Sequence, residues 1–448
     1  MNSNYRYREN ISAAIQRYAA DNEAAAVAFV SELVRIESVN HPPHGNEAAY
    51  QRYIADWMRS RGAETEVYAL ADVPGLATHE AYMDTRDYTD RPNVIGRFFG
   101  HGRVGGRSLL FSGHADTVYE GTEAWTFPPF SGTVDAGRLY GRGAYDMKGG
   151  MAAAMMAVRC LQELGVPIAG DVYVESVVDE EYGGANGTLA GRLRGPNPDM
   201  AIIPEPSNLK LYPAHLGGGV WQASFSGKSG IGFAGEELVS ALEATVEFAN
   251  VLHAYNRYRK HRLATPSWWR DGRKAEVSLL GIYSGDHTRE LQEKLPATGQ
   301  VNFWIEGYPG MTGEEIVADL LAFTETQLPF HSALCKCRPH IRPLIRYLSA
   351  SEMPAGEATE LFLQLTQTSG ERVFGQGGVE PPTGSPFACD GFMINLYSPT
   401  PALILGPAGG NAHAADEYLD IASYLALFRW YAELIVDWCG IEDSRVTT

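Results

Sequence analysis

A mostly parallel α/β sheet interrupted by a smaller two-layer α+β insertion is the fold class this sequence predicts. Three observations lead there: strands and helices alternate along the chain, the middle segment orders its elements differently, and ligand-type side chains recur just past the strands. Short apolar strands are expected at Ser108–Phe111, Asp171–Val178, Met200–Ile203 and Pro401–Leu405. A helix rich in Ala, Met and Gly is expected over Met147–Leu164, and a long apolar one over Leu419–Val436. Such alternation packs helices against a parallel sheet. Upstream, Val27, Phe29, Val30, Leu33 and Val34 fall at helical spacing, before the turn-rich run Asn40–Gly45.

The middle segment reads as a strand over Val220–Gly227, a helix over Glu236–His261, strands at Glu276–Ile282 and Gln300–Glu306, and a helix over Thr312–Gln327. That β-α-β-β-α order suits a ferredoxin-like two-layer domain inserted into the larger one. The insertion is expected to cover residues 218–332, leaving a discontinuous main domain of residues 1–217 and 333–448.

The bulk properties narrow the partners. The chain has 448 residues, 45% of them hydrophobic, enough for a large core. A formal net charge of −18 disfavours nucleic acid and anionic membrane surfaces. A small anionic substrate stays admissible if metals and a few arginines dominate the local field. The cysteines Cys160, Cys335, Cys337, Cys389 and Cys439 form no disulfide framework. Neither a signal-type h-region at the start nor an apolar run long enough to span a bilayer is present, so a cytoplasmic location is expected.

The chemistry gathers at strand ends. In open α/β sheets, loops and helix N-termini converge at the C-terminal edge of the strands. His114 with Asp116, Asp146, the pair Glu180-Glu181, Glu205 and His413 all stand at such positions. Taken singly, each has an ordinary reading: a surface histidine, a helix N-cap at Asp146, a solvated corner of glutamates. Together they match what a hydrolytic two-metal site needs, namely hard carboxylate oxygens, imidazole nitrogens and one carboxylate able to bridge. Two divalent ions acidify a bound water and polarise the scissile group. A further carboxylate takes the water's proton and returns it to the leaving nitrogen. Adjacent glutamates can divide those duties. Asp116, two residues past His114, is placed to orient the imidazole.

The motifs Ser112-Gly-His-Ala-Asp-Thr-Val118, Gly141-Arg-Gly-Ala-Tyr-Asp-Met-Lys-Gly-Gly150, Asp179-Glu-Glu-Tyr-Gly-Gly184, Pro204-Glu-Pro206 and Gly406-Pro…His413…Asp416-Glu-Tyr418 resemble the M20 metallopeptidase family, in family order. That family includes acetylornithine deacetylases, succinyl-diaminopimelate desuccinylases, aminoacylases and carboxypeptidases. The resemblance covers residues 25–440. It implies two divalent ions per subunit (Zn, Mn or Co), with Asp146 bridging, His114 and Glu205 completing one ion, and Glu181 and His413 the other. It also implies Glu180 as general base and then acid, and a middle domain acting as a lid and dimer contact.

The lid departs from the family pattern. A histidine usually follows the Gly-Lys-Ser turn and reaches the substrate carbonyl; here the turn reads Gly227-Lys-Ser-Gly-Ile-Gly-Phe233, and Ile231 holds that place. Glu293-Lys-Leu-Pro296 and Trp304-Ile-Glu306 also replace expected substrate-reading residues. Other candidates for substrate contact are Arg289, His215 at the junction with the insertion, and Cys389 in the loop before His413. Trp268-Trp269 offers an apolar wall or plain packing. The expected activity is hydrolysis of an amide C–N bond in a small carboxylate-bearing molecule. Two rivals stand beside it. An aminohydrolase, as on a nitroanthranilate-type aromatic acid, forms no carbonyl oxyanion and needs no lid histidine. A non-catalytic binding protein has no need of Glu180.

Overall fold

The computed structural model describes residues 3–100, 105–231, 237–286, 288 and 290–442. Contacts divide the chain into two units, one of Met1–Pro213, Glu352–Thr383 and Asp390–Thr448, the other of Ala214–Ser351 and Gly384–Cys389.

The first unit is built on a six-stranded sheet in the order Ala402–Ile404, Met200–Ile203, Leu109–His114, Asp171–Val177, Asn93–Phe99, Glu64–Tyr68. The first four strands are mutually parallel. The last two are antiparallel, so the sheet is parallel where the ligand-type residues lie and antiparallel at one edge. Register sets Phe111 beside both Ile202 and Val174, and His114 beside Val177. All six residues of the Leu109–His114 strand are buried, as expected of a central parallel strand.

Helices Gly149–Glu163 and Ile421–Cys439 supply most of the covering core. The first is buried over Gly149–Val158 without a break, because Ala, Gly and Met let it lie deep among its neighbours. Glycine is required where it meets the sheet: a Cβ on Gly150 would come within 2.0 Å of the Pro204 carbonyl oxygen. Gly406 presses on the same segment, its would-be Cβ 2.0 Å from the Glu205 carbonyl oxygen. The loop carrying Glu205 is therefore clamped from two sides by residues without side chains. A small antiparallel sheet, ordered Gly409–Gly410, Tyr418–Asp420, Arg138–Tyr140, Thr133–Asp135, brackets the His413 loop between its first two strands.

The second unit is an antiparallel sheet in the order Val277–Ser284, Thr298–Gly307, Gly217–Ser226, His340–Pro343. Helices Ala241–Arg262 and Gly313–Gln327 accompany it. Along Thr298–Gly307 the residues Gly299, Val301, Phe303 and Ile305 are buried, the alternation of a strand with one wet face. They pack with Phe225, Phe248, Leu252 and Leu320. Ser240 caps the first helix, and Thr312 with Glu315 forms a capping box on the second. The expected order of elements is present, with the edge strand His340–Pro343 added after them.

None of the five cysteines is in a disulfide, and Cys160, Cys337, Cys389 and Cys439 are buried. Among the described residues no helix is long and apolar enough to cross a membrane.

Candidate metal centre

Parallel strands end on one side of their sheet, and the ends of Leu109–His114, Asp171–Val177, Met200–Ile203 and Ala402–Ile404 bring four ligand-type side chains together with Asp146, at the entry to helix Gly149–Glu163. His114 Nε2 lies 3.3 Å from Asp146 Oδ1 and 3.6 Å from Glu205 Oε1. His413 Nε2 lies 3.2 Å from Asp146 Oδ2 and 2.9 Å from Glu181 Oε2. Asp146 thus turns one carboxylate oxygen to each imidazole, with Glu205 on the His114 side and Glu181 on the His413 side. Ligand atoms of His114, Asp146 and Glu181, and of His114, Glu180 and Glu205, fall within 4.8 Å of one another. Glu180 therefore stands close enough to be a ligand itself. Its carboxylate accepts no hydrogen bond among the described residues.

The backbone shapes this cluster. His114 closes its strand, and its Nδ1 lies 2.8 Å from the main-chain oxygen of Asp116. A carbonyl only accepts, so Nδ1 carries a proton, and Nε2 is the ring nitrogen turned toward Asp146 and Glu205. Asp116, the residue expected to orient this imidazole, holds it through its carbonyl, while its carboxylate stands 3.8 Å from Nδ1. That carboxylate instead accepts from the backbone N–H of Glu180 and of Glu181, both at 3.1 Å. Asp116 anchors the two glutamates because a fully buried carboxylate must find donors, and the turn after Val177 offers them. The Asp146–Met147 peptide, at the entry to helix Gly149–Glu163, is cis.

Several residues of the site had no assigned role in the sequence reading. Asn40 Nδ2 donates to Asp116 Oδ2 at 2.8 Å and to Asp179 Oδ1 at 3.1 Å. Asp179, in left-handed backbone at φ 67°, also takes Tyr88 Oη at 2.6 Å and Arg86 Nε at 3.2 Å. Glu417 accepts from the backbone N–H of Tyr145 and Asp146 at 3.0 and 3.1 Å and pairs with buried Arg142 at 2.6 Å. It holds the Asp146 main chain as Asp116 holds that of the glutamates. Asp390, also buried, accepts from Thr188 Oγ1. Arg142, Asp179 and Glu417 stood inside quoted motifs; the others gave only the signal of a polar residue near a turn.

The electrostatics describe a pocket with surplus negative charge. Burial drives the Glu180 and Glu205 carboxyls well above the ordinary range, and neighbouring carboxylates, Asp390 and Asp146 among them, push the same way. Burial works against a charge on His114, yet Asp146, Glu205, Glu180 and Glu181 outweigh it and raise its pKa far above the imidazole value. Glu181, then Asp146, lifts His413 to about 12 against its burial. Burial opposes ionisation of Asp146 too, and the two imidazoles overcome it, leaving its pKa lowered. The donor set of hard oxygens and borderline nitrogens, with its excess negative charge, fits divalent cations.

The remaining candidates are not among these ligand-type residues. His215 is buried in the second unit, its Nδ1 2.9 Å from the Leu216 carbonyl and its Nε2 2.8 Å from Ser351 Oγ, so both ring nitrogens are engaged in packing. Trp269 is buried with Nε1 donating to the Ser385 carbonyl at 3.0 Å, the packing alternative for the tryptophan pair. Cys389 is buried at the end of Gly384–Cys389. Arg289 lies outside the described residues. Ile231 is 56% exposed.

A hydrolase of C–N bonds, built on a mostly parallel α/β sheet with a carboxylate–imidazole cluster at its C-terminal edge, is the class that fold and relatives define. The chain belongs to peptidase family M20/M25/M40, whose model matches residues 110–437. It is 27% identical over 447 residues to N-formyl-4-amino-5-aminomethyl-2-methylpyrimidine deformylase of Halalkalibacterium halodurans, covering 94% of this chain and 96% of that one. A succinyl-diaminopimelate desuccinylase of Methylobacterium radiotolerans is 35% identical over 205 residues, 44% of this chain and 46% of that one. Among solved structures, the di-peptidase Dug1p of Saccharomyces cerevisiae matches with a TM-score of 0.72 at 13% identity, over 96% of this chain and 98% of that one. At such identity the likeness concerns the fold.

Proposed function

We propose that this protein hydrolyses the amide bond of a small N-acyl substrate carrying a short acyl group, with an N-formyl amine on a small aromatic ring as the leading class. The observation that supports the hydrolytic reading best is the split of Asp146, one oxygen toward His114 and the other toward His413. In this reading Asp146 would be shared between two divalent ions (Zn, Mn or Co), with His114 and Glu205 available to one and Glu181 and His413 to the other. The ions, when bound, would supply Lewis acidity and an acidified water. Glu180 takes the water's proton and returns it to the leaving nitrogen; its lack of hydrogen-bond partners leaves the carboxylate available for both transfers. Asp116 and Glu417 position the glutamate pair and Asp146 through their backbones. The substrate class rests on the full-length similarity to the formylpyrimidine deformylase, joined to a lid turn that lacks its histidine.

The second unit is proposed as lid and dimer contact, the chain as cytoplasmic. The relatives named above cleave acyl groups from nitrogen by their names, which gives the aminohydrolase and non-catalytic readings no support. The test is a metal-reconstituted assay of an N-formyl aminomethylpyrimidine, N-succinyl-diaminopimelate, N-acetylornithine, dipeptides and amino-aromatic acids, scoring formate or acyl release apart from ammonia. Formyl release that chelation abolishes and added Zn, Mn or Co restores is expected, with little turnover of the succinyl, acetyl and peptide substrates. Ammonia release without acyl cleavage, or full activity in verified metal-free protein, would overturn the proposal.

A further inference from the structure

Tyr145 stands immediately before Asp146 and is 6% exposed, and its side chain meets segments from both sides of the cluster. Its Oη donates to Asn208 Oδ1 at 3.1 Å, on the loop just past Glu205. Its ring lies against Gly409, shortly before His413: a Cβ there would come within 2.7 Å of Tyr145 Cδ2. Its backbone N–H shares Glu417 Oε1 with that of Asp146, at 3.0 and 3.1 Å. One residue thus touches the segments that carry Asp146, Glu205 and His413.

Both of its contacts are anchored. The Asn208 N–H donates to the Pro407 carbonyl at 3.0 Å, and the neighbouring Leu209 N–H to the Gly406 carbonyl at the same distance. Asn208 is held in left-handed backbone at φ 53°. Gly409 pairs with Leu419 in the small antiparallel sheet. A side chain set between two anchored segments fixes their separation only if it is stiff. Tyrosine suits that task, because its ring turns about two torsions and its hydroxyl seeks a partner when buried.

Resting on the two-ion reading above, we propose that Tyr145 is a positioning residue that couples the two ion sites. Through Oη and Asn208 it steadies the Glu205 side; through its ring on Gly409 it steadies the His413 side. Loss of the hydroxyl therefore acts on one ion, and loss of the ring on both. A side chain that only filled space would lower stability without telling the ions apart. Residues that bond a metal ligand directly are worth about 10–100-fold in metal affinity. Tyr145 acts one step further out, through a neutral hydrogen bond worth about two- to tenfold.

Manganese chloride is the probe, titrated calorimetrically into the full-length metal-free protein. Two binding events are expected, and Glu205→Gln and His413→Ala assign them by the event that each weakens most. Tyr145→Phe should weaken the Glu205-side event about three- to tenfold and leave the other within about twofold, with the urea midpoint little changed. Asn208→Gly, which tolerates the left-handed backbone, should do the same. The double variant should add no more than about twofold, since both changes remove one bond. Tyr145→Leu, without ring or hydroxyl, should weaken both events. No effect of Tyr145→Phe on either event, equal loss at both, or full additivity with Asn208→Gly would each overturn the coupling while leaving the two-ion reading standing. Fewer than two manganese ions in the wild type would overturn that reading and the coupling with it.

Discussion

Replacing Asn40 by alanine tests whether the carboxylates behind Glu180 and Glu181 depend on one shared amide. Its Nδ2 donates to Asp116 at 2.8 Å and to Asp179 at 3.1 Å, and both acids are fully buried. A hydrogen bond to a charged group contributes about 1.5–3 kcal/mol, so the two bonds set a ceiling of about 6 kcal/mol. Two facts lower that figure. Asn40 Oδ1 is itself a buried acceptor with no partner, whose removal regains about 1–3 kcal/mol. Asp116 also keeps the Glu180 and Glu181 N–H groups, and Asp179 keeps Tyr88 and Arg86. The net loss expected is about 2–4 kcal/mol, measured by urea unfolding at neutral pH with metal present. Because Asp116 sets the backbone of both glutamates, kcat should fall by about tenfold or more while metal content holds. Asn40→Asp, which adds a third buried carboxylate, should be worse than alanine. A stability change under about 0.5 kcal/mol, typical of surface sites, together with unchanged kcat, would refute the reasoning.

Glu180→Gln keeps the side-chain shape but takes no proton at neutral pH, so kcat should fall by about 10²–10⁴ with metal content nearly unchanged; loss of metal with retained turnover would exchange the roles of Glu180 and Glu181. His215, whose burial lowers its pKa from 6.5 to about 4, should make stability depend on pH. The unfolded chain takes the proton first as pH falls, so about 3 kcal/mol should be lost progressively from about pH 6.5 down to about pH 4, and His215→Gln should flatten that slope in urea midpoints. The edge strand Val277–Ser284 exposes Leu280 at 56%, Ile282 at 45% and Tyr283 at 48%, a surface suited to two-fold pairing. Light scattering at micromolar concentration should give at least a dimer, and Leu280→Lys with Ile282→Lys should shift it toward monomer; a monomeric wild type would refute the pairing.

The elements readable in the sequence were those whose pattern is set by burial alone. Leu109–His114, Asp171–Val177 and Met200–Ile203 are short and apolar because neighbours cover both faces, and the helices that cover them repeat apolar residues at helical spacing. The strand Glu64–Tyr68 escaped notice because it lies at the sheet edge with Glu64, Glu66 and Val67 exposed, so charge breaks its alternation. His340–Pro343 is mostly exposed and ends in a proline, which only an edge strand tolerates. Both are strands by virtue of a partner distant in sequence, and no local window contains that information.

The candidate site divides along the same line. Metal-type ligands are legible because few side chains do that chemistry and because parallel strands deliver them to one edge at predictable places. What holds them is harder to read, since it acts through main-chain atoms. Asp116 illustrates the point: its spacing from His114 marks it as a residue that orients the imidazole, without saying which of its oxygens does so. The imidazole is held by the Asp116 carbonyl, a group every residue possesses, and so the side chain is released for the turn at Glu180 and Glu181. Glu417 does the same for Asp146 across 271 residues of chain, with Arg142 balancing its charge. A carboxylate that steers by accepting backbone N–H bonds requires only that its fold bring a loop to it. The side chains that cluster could therefore be named from the sequence, whereas the contacts that aim them required the coordinates.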